Sequence, residues 1–170
     1  MDEEAFEEIW NAHYADILAF CLRRLGDRQE AADAAADAFL IAWRRSAEIP
    51  DNARPWLFGV ALKVVANRRR GSQRRGALAA RIGGTLTPAF PVPADDQPGD
   101  VLAAFGRLSA RDQEVLSLVA WEDLTPAEAA EVLGIPVARF SVRLHRAKQR
   151  LRNNLAAAAP NDHHLITETR

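Results

Sequence analysis

TPAEAAEVLGIPVARFSVRLHRAKQRLR, residues 125–152, is the stretch from which the fold can be read. Thr125 offers a side-chain oxygen to the amides of a first helical turn. Pro126 suits the first helical position, and Glu128 stands three residues after the threonine, so a helix starts here. It is short, because Gly134 stops it between Leu133 and Ile135. The next segment, Val137 to Arg152, places Val137, Phe140, Leu144, Ala147 and Leu151 at three- and four-residue steps, which predicts one buried stripe on a second helix. Arg139, Arg143, Arg146, Lys148, Arg150 and Arg152 fill the remaining arc with no acid among them. A short helix, a glycine turn and a basic amphipathic helix predict a helix-turn-helix, whose second helix fits the major groove of DNA. The competing reading of the same cations is a solvated basic face.

Immediately upstream, Val101, Leu102, Phe105 and Leu108 open a helical unit, and Ser109 with Asp112 three residues on caps a further helix through Val115, Leu116, Leu118 and Val119. Before that unit the periodicity fails. Residues 76–99 carry Gly83, Gly84, Pro88, Pro91, Pro93 and Pro98. They read as a linker, with a short helical beginning near Leu78 to Ile82. The expected fold is therefore all-α: two small helical domains joined by a flexible linker, the C-terminal one a helix-turn-helix.

Three helices are expected before the linker. The first runs from Asp2 to Leu25 with Phe6, Ile9, Trp10, His13, Ile17, Cys21 and Leu25 on one face. Lone Cys21 reads as a small buried side chain, and His13 as a packed histidine without a second metal ligand at helical spacing. After Gly26, Asp27 and Glu30 have capping-box spacing, and a second helix follows from Arg28 to Arg45. Asp33 and Asp37 lie four apart on its exposed side, either as a solvated acidic face or toward a cationic partner. A third helix begins with Pro55 and runs into Arg68, Arg69 and Arg70, with Arg74 and Arg75 beyond Gly71. Cations suit a helix C-terminus, but these are more than capping requires.

The net charge of −1 conceals a sorting of signs. Residues 1–60 carry 12 acids and 6 bases, 61–83 carry 7 bases and no acid, 84–134 carry 9 acids and 2 bases, and 135–152 carry 6 bases and no acid. Two separated cationic blocks suggest two places where one polyanion is touched. The acidic start has no signal-peptide pattern, and no run of eighteen apolar residues occurs, so a soluble, cytoplasmic protein without membrane insertion is expected. No glycine loop, metal-ligand set or nucleophile accompanies the paired aspartates, which argues against a paired-carboxylate catalytic site there, and no cofactor or metal is expected.

The segments GDRQEAADAAADAFLIAWRR (26–45), ARPWLFGVALKVVANRRR (53–70), RLSARDQEVLSLVAWEDLTPAEAAEVLGIP (107–136) and VARFSVRLHRAKQRLR (137–152) together resemble the extracytoplasmic-function group of bacterial sigma factors. The resemblance extends from Phe6 to about Leu155. It implies a first domain at 1–76 that binds core RNA polymerase and recognises and melts the minus-ten element, a linker at 77–99, a domain at 100–156 that reads the minus-thirty-five element, and a tail at 157–170. It implies polymerase contacts at Asp33, Asp37, Phe39 and Trp43. For the minus-ten element it implies a pocket around Asp51, Asn52 and Arg54 with Trp56, Lys63, Asn67 and Arg68 near the strand, although Trp56 also fits the core stripe of its helix. Arg68 to Arg75 would meet phosphates. For the minus-thirty-five element it implies Arg139, Ser141, Val142, Arg143, His145 and Arg146. Arginine's paired donors suit guanine, which favours Arg139 and Arg146 for bases and Arg143 for phosphate.

Promoter DNA, core RNA polymerase and an anti-sigma factor are the partners that this resemblance implies. The chain departs from the family at Pro136 and Arg139, where a small or hydroxyl residue is usual, and at Lys63, Asn67 and Ala36. Those departures make borrowed promoter sequences unsafe. Two other readings fit the residues: an autonomous helix-turn-helix regulator, and a helical interaction module whose basic helix is merely solvated. His163 and His164 read as solvated tail.

Overall fold

Gly26, with a φ of +75°, ends the first helix and turns the chain sharply enough for the second to pack back on it. In the computed structural model, which describes residues 3–79 and 100–158, every regular element among the described residues is helical. Helix α1 spans Glu3–Leu25, α2 Arg28–Arg44, α3 Ala53–Ala79, α4 Asp100–Gly106, α5 Ala110–Ala120, α6 Pro126–Leu133 and α7 Val137–Ala158, with a single 3-10 turn at Ser46–Glu48. The expected linker from residue 80 onward and the tail histidines lie outside the described residues.

The first three helices pack around α2, because its inner face is almost entirely alanine. Ala31, Ala34, Ala35, Ala38 and Ala42 are buried there, and so small a side chain lets neighbouring backbones approach closely. Bulk comes from the neighbours: Ile17, Phe20 and Cys21 on α1, and Leu57, Phe58, Ala61, Val64 and Val65 on α3, are all buried. Each large apolar side chain so buried contributes about 1.5 to 3 kcal/mol. At the open end Phe39 is held by Phe6, Trp10 and Tyr14, with ring centroids 6.4, 4.6 and 5.9 Å away.

Two expected boundaries move. Helix α3 starts at Ala53 rather than Pro55, so Pro55 is a buried residue of the first turn. It also continues through Gly71 and Gly76 to Ala79, beyond the arginines at which the third helix is expected to run out. Glycine lowers helix propensity by only about 1 kcal/mol, which a helix already anchored on a packed face tolerates. The capping box expected at Asp27 is half present: its side chain accepts from the Glu30 amide at 2.7 Å.

The second group of helices forms around α7. Phe140, Leu144 and Ala147 are buried against α4, α5 and α6, and Leu151 is half-buried, whereas Val137 is exposed, contrary to its place in the expected stripe. Gln113 organises the α4 to α5 corner by donating its side-chain amide to the carbonyls of Phe105 and Leu108 at 3.0 and 3.2 Å. Ser109 caps α5 as expected, accepting from the Asp112 amide. The two groups also touch, through α3 against α6, and their buried apolar residues form one contiguous cluster.

Candidate nucleic-acid interface

The α6 to α7 unit carries the local geometry that its residues predict. Thr125 Oγ1 accepts from the Glu128 amide at 3.3 Å, while Glu128 Oε2 accepts from the Thr125 amide at 2.9 Å. These bonds, first the Thr125 amide and then its hydroxyl, hold the Glu128 carboxyl below its ordinary value. Gly134 closes the turn at a φ of +62°, its amide bonding back to Glu131 at 2.9 Å. Only this left-handed conformation lets α7 leave at once, and glycine adopts it without a side-chain clash. Helix α7 then turns its buried stripe inward.

What remains outward is a continuous surface: Arg139, Ser141, Val142, Arg143, His145 and Arg146 are all exposed. Among the described residues, no ion pair engages Arg139, Arg143 or Arg146. Arg143 and Arg146 line a polar cleft of about 260 Å³ with Ser109, Arg111 and Asp112 on α5. Arg150 shares that cleft but is turned to the fold, donating to both carboxylate oxygens of Asp112 at 2.8 and 2.9 Å. The acid-free run thus presents three arginines without an ion pair on one face and pairs a fourth with Asp112.

The second basic block behaves otherwise. Arg68 bonds to Asp37 at 2.5 Å, Arg69 to the backbone carbonyl of Arg24, and Arg70 to Asn67. Burial depresses the Arg69 guanidinium, an effect of desolvation before any neighbour's charge. These cations are therefore engaged within the molecule, Arg68 and Arg70 through surface bonds. The side chains of Arg74 and Arg75 lie outside the described residues.

The residues expected at the first domain's surfaces divide in the same way. Asp33 is exposed and accepts from Gln29 at 3.0 Å. Asp37 is exposed but paired to Arg68. Trp43 is 44% exposed beside Leu40 at 47%, a small apolar patch next to the two carboxylates. Phe39 departs from expectation: it is 1% exposed, so it supports that patch from below and cannot touch a partner. Trp56 is half-buried and stands beneath the Arg45 guanidinium, 5.8 Å from its ring centroid, which fits the packing reading better. Asp51, Lys63 and Asn67 are exposed. Asn52 and Arg54 are already occupied, Asn52 by Glu128 at 3.1 Å and Arg54 by the Glu122 carbonyl at 2.7 Å and Asp16 at 3.2 Å.

One cluster was missed from the residues alone. Arg24 is 1% exposed, and its guanidinium reaches Glu114 at 2.7 Å, Glu122 at 3.0 Å, Ser117 Oγ at 3.0 Å and the Phe20 carbonyl at 3.1 Å. Arg23 pairs with the same Glu122, itself only 2% exposed. The available signal was helical register, since Arg24 follows Phe20 by four and Cys21 by three on the buried face of α1. Cys21 beside it is buried, and desolvation pushes its thiol up to about 12. His13 is pushed down, first by burial and then by Arg54. Among the described residues, no group of His, Cys, Asp or Glu could hold a metal ion, and no helix is long and apolar enough to cross a membrane.

Comparison with known proteins follows the same division. Residues 9–75 match the family described as Sigma-70 region 2, and residues 99–151 the family described as Sigma-70, region 4. The chain is 30% identical over 159 residues to the ECF RNA polymerase sigma factor SigL of Mycobacterium tuberculosis, covering 86% of each. It is 29% identical over 169 residues to the ECF RNA polymerase sigma factor SigW of Bacillus subtilis, covering 91% of this chain and 90% of that one. Among solved structures, CnrH in complex with the cytosolic domain of CnrY is similar at a TM-score of 0.62 and 25% identity, over 93% of this chain and 92% of that one. The sigma factor RpoE of Bartonella quintana, in complex with the anti-sigma factor NepR, shares the fold at a TM-score of 0.68 and 20% identity, over 92% and 99%.

Proposed function

The chain belongs to the extracytoplasmic-function group of the sigma-70 family, and from that premise we propose that it binds core RNA polymerase and directs it to promoters. The observation that carries this reading is the exposed, acid-free face of α7, seated on a fully formed capping box and a left-handed glycine turn. It acts as the reader of the minus-thirty-five element, with Arg139 and Arg146 on base edges and Arg143 on phosphate. Residues 1–76 form the docking and melting domain, and residues 100–156 the reading domain, with 77–99 between them and 157–170 as a tail.

In the first domain, Asp33, Asp37 and Trp43 form the polymerase-facing surface, positioned by Phe39. Asp51 and Asn52 in the loop before α3, with Arg54, Lys63, Asn67 and Arg68 on α3, handle the extruded minus-ten base, and Trp56 shapes its floor. Base extrusion costs a few kcal/mol, which such a pocket offsets by hydrogen bonding and stacking. The protein has no catalytic step of its own and works in the cytoplasm with polymerase. An anti-sigma factor is its expected regulator, in line with the complexes named for the similar solved structures.

The test is co-elution of the purified chain with core RNA polymerase and run-off transcription from promoters selected out of a genomic fragment pool. Co-elution with promoter-dependent transcripts is expected. Specific duplex binding without any polymerase association would instead establish an autonomous regulator.

A further inference from the structure

Arg139, Arg143, Arg146 and Arg150 follow one another on α7 at steps of four, three and four residues, which aligns them as one stripe along the helix. Arg150 differs from the other three in having an acid. Its Nη1 donates to both carboxylate oxygens of Asp112, at 2.8 and 2.9 Å. Asp112 stands in the first turn of α5 and accepts a further bond there, from the Ser109 hydroxyl at 2.8 Å. The pair is lopsided: the Arg150 side chain is 56% exposed and that of Asp112 only 12%. Both border the polar cleft that also takes in Arg111, Arg143 and Arg146, so the distal end of the stripe opens to the same solvent as the rest.

That asymmetry decides which partner holds the other. An exposed guanidinium parted from its carboxylate is taken up by water, whereas a nearly buried carboxylate is left with the Ser109 hydroxyl as its one side-chain donor among the described residues. Asp112 therefore keeps Arg150 when an anion approaches the cleft. We propose that Asp112 is an affinity-setting residue, which withholds Arg150 from the DNA backbone so that the reading face engages one phosphate fewer than its arginine stripe could reach. The proposal rests on the reading of α7 as the DNA-facing helix. Phosphate contacts add affinity equally on every sequence, through release of counterions, whereas base contacts separate one sequence from another. Withdrawing the last cation of the stripe weakens attachment to indifferent DNA and leaves the discrimination by Arg139 and Arg146 as it is. The carboxylate also suits the fold, since it lies near the positive end of the α5 dipole and holds the Ser109 hydroxyl.

The experiment titrates the full chain onto a fluorescently labelled duplex of random sequence, read by anisotropy, at salt concentrations between about 50 and 200 mM. Asp112→Asn is expected to steepen the fall of log affinity with log salt by about 0.9, the value for one more neutralised phosphate. Arg150→Gln is expected to keep the parent's slope, and Asp112→Asn combined with Arg150→Gln to return to it. A merely structural Asp112 would change affinity at every salt without changing the slope, and that result in an Asp112→Asn variant folded by circular dichroism would overturn the proposal. A flatter slope in Arg150→Gln would overturn it too, because Arg150 would then already meet a phosphate in the parent; this second variant keeps the test decisive should Asp112→Asn fail to fold. Failure of all four proteins to bind the duplex would fall on the reading of α7 as the DNA-facing helix, whereas binding with one common slope would fall on Asp112 alone.

Discussion

Two basic blocks that look equivalent along the chain are used oppositely in the molecule. On α3, Arg68, Arg69 and Arg70 each bond within the molecule, Arg68 to Asp37 and Arg70 to Asn67 at the surface and Arg69 to the Arg24 carbonyl. On α7, Arg139, Arg143 and Arg146 stay exposed, while Arg150 alone turns to Asp112. A run of cations predicts an anionic partner only where the acids of other elements do not already pair with it. Asp37 lies within reach of Arg68 because α2 packs along α3, whereas Asp112 of α5, which shares a cleft with Arg143 and Arg146, is taken up by Arg150.

The largest effect tests the arginine that neither block contains. Arg24→Ala leaves Glu122 buried with fewer donors, and breaking a buried pair from one side costs about 3 to 5 kcal/mol. Urea denaturation should show that loss, while Arg24→Met combined with Glu122→Leu should recover much of it; full stability of the single variant would mean that the cluster is not buried in solution. Next, Arg146→Ala should weaken promoter binding by about 1 to 3 kcal/mol and leave core polymerase binding intact. Arg68→Ala, its counterpart in the other block, should change stability by at most about 1 kcal/mol, as expected of an exposed pair. Equal losses of promoter affinity in the two variants, by fluorescence anisotropy, would break the contrast between the blocks.

Removal of the cap comes third. Thr125→Ala should lower stability by about 1 kcal/mol, read by thermal melting, because α6 loses the acceptor for its Glu128 amide. The smallest effect concerns pH, and both groups act with the same sign. His13 is held below 6.5, so the unfolded chain takes up its proton first and stability declines as pH falls below that value. Glu128 is held below its ordinary 4.5, so the stability it contributes is complete above that value and is lost as pH falls through its lower folded one. Melting curves should therefore separate parent from His13→Gln first and from Glu128→Gln only in more acid solution. Reversal of that order would exchange the two assignments.

Legibility followed the range of the interaction. The Thr125 cap, the Gly134 turn and the buried Phe140, Leu144 and Ala147 all depend on residues three or four apart, and each was readable from spacing. Val137 failed at the helix start, where it is the first residue of α7 and is exposed. Phe39 failed for a different reason: a resemblance carries over a position, not its exposure, and here Phe6, Trp10 and Tyr14 cover the ring.

The sequence by itself determined that the chain is helical, where most helices begin and end, and which face of α7 meets solvent, because backbone capping and helical periodicity act within one or two turns. It also carried the family. Only the tertiary structure decided which charges are at liberty. Arg24 meets Glu114 and Glu122, Arg54 meets the Glu122 carbonyl, and Arg68 meets Asp37 across 31 to 98 residues. No periodicity links such pairs, since their proximity comes from the packing of whole helices, and that packing also sets Asn52 against α6 and Arg54 against the loop before it.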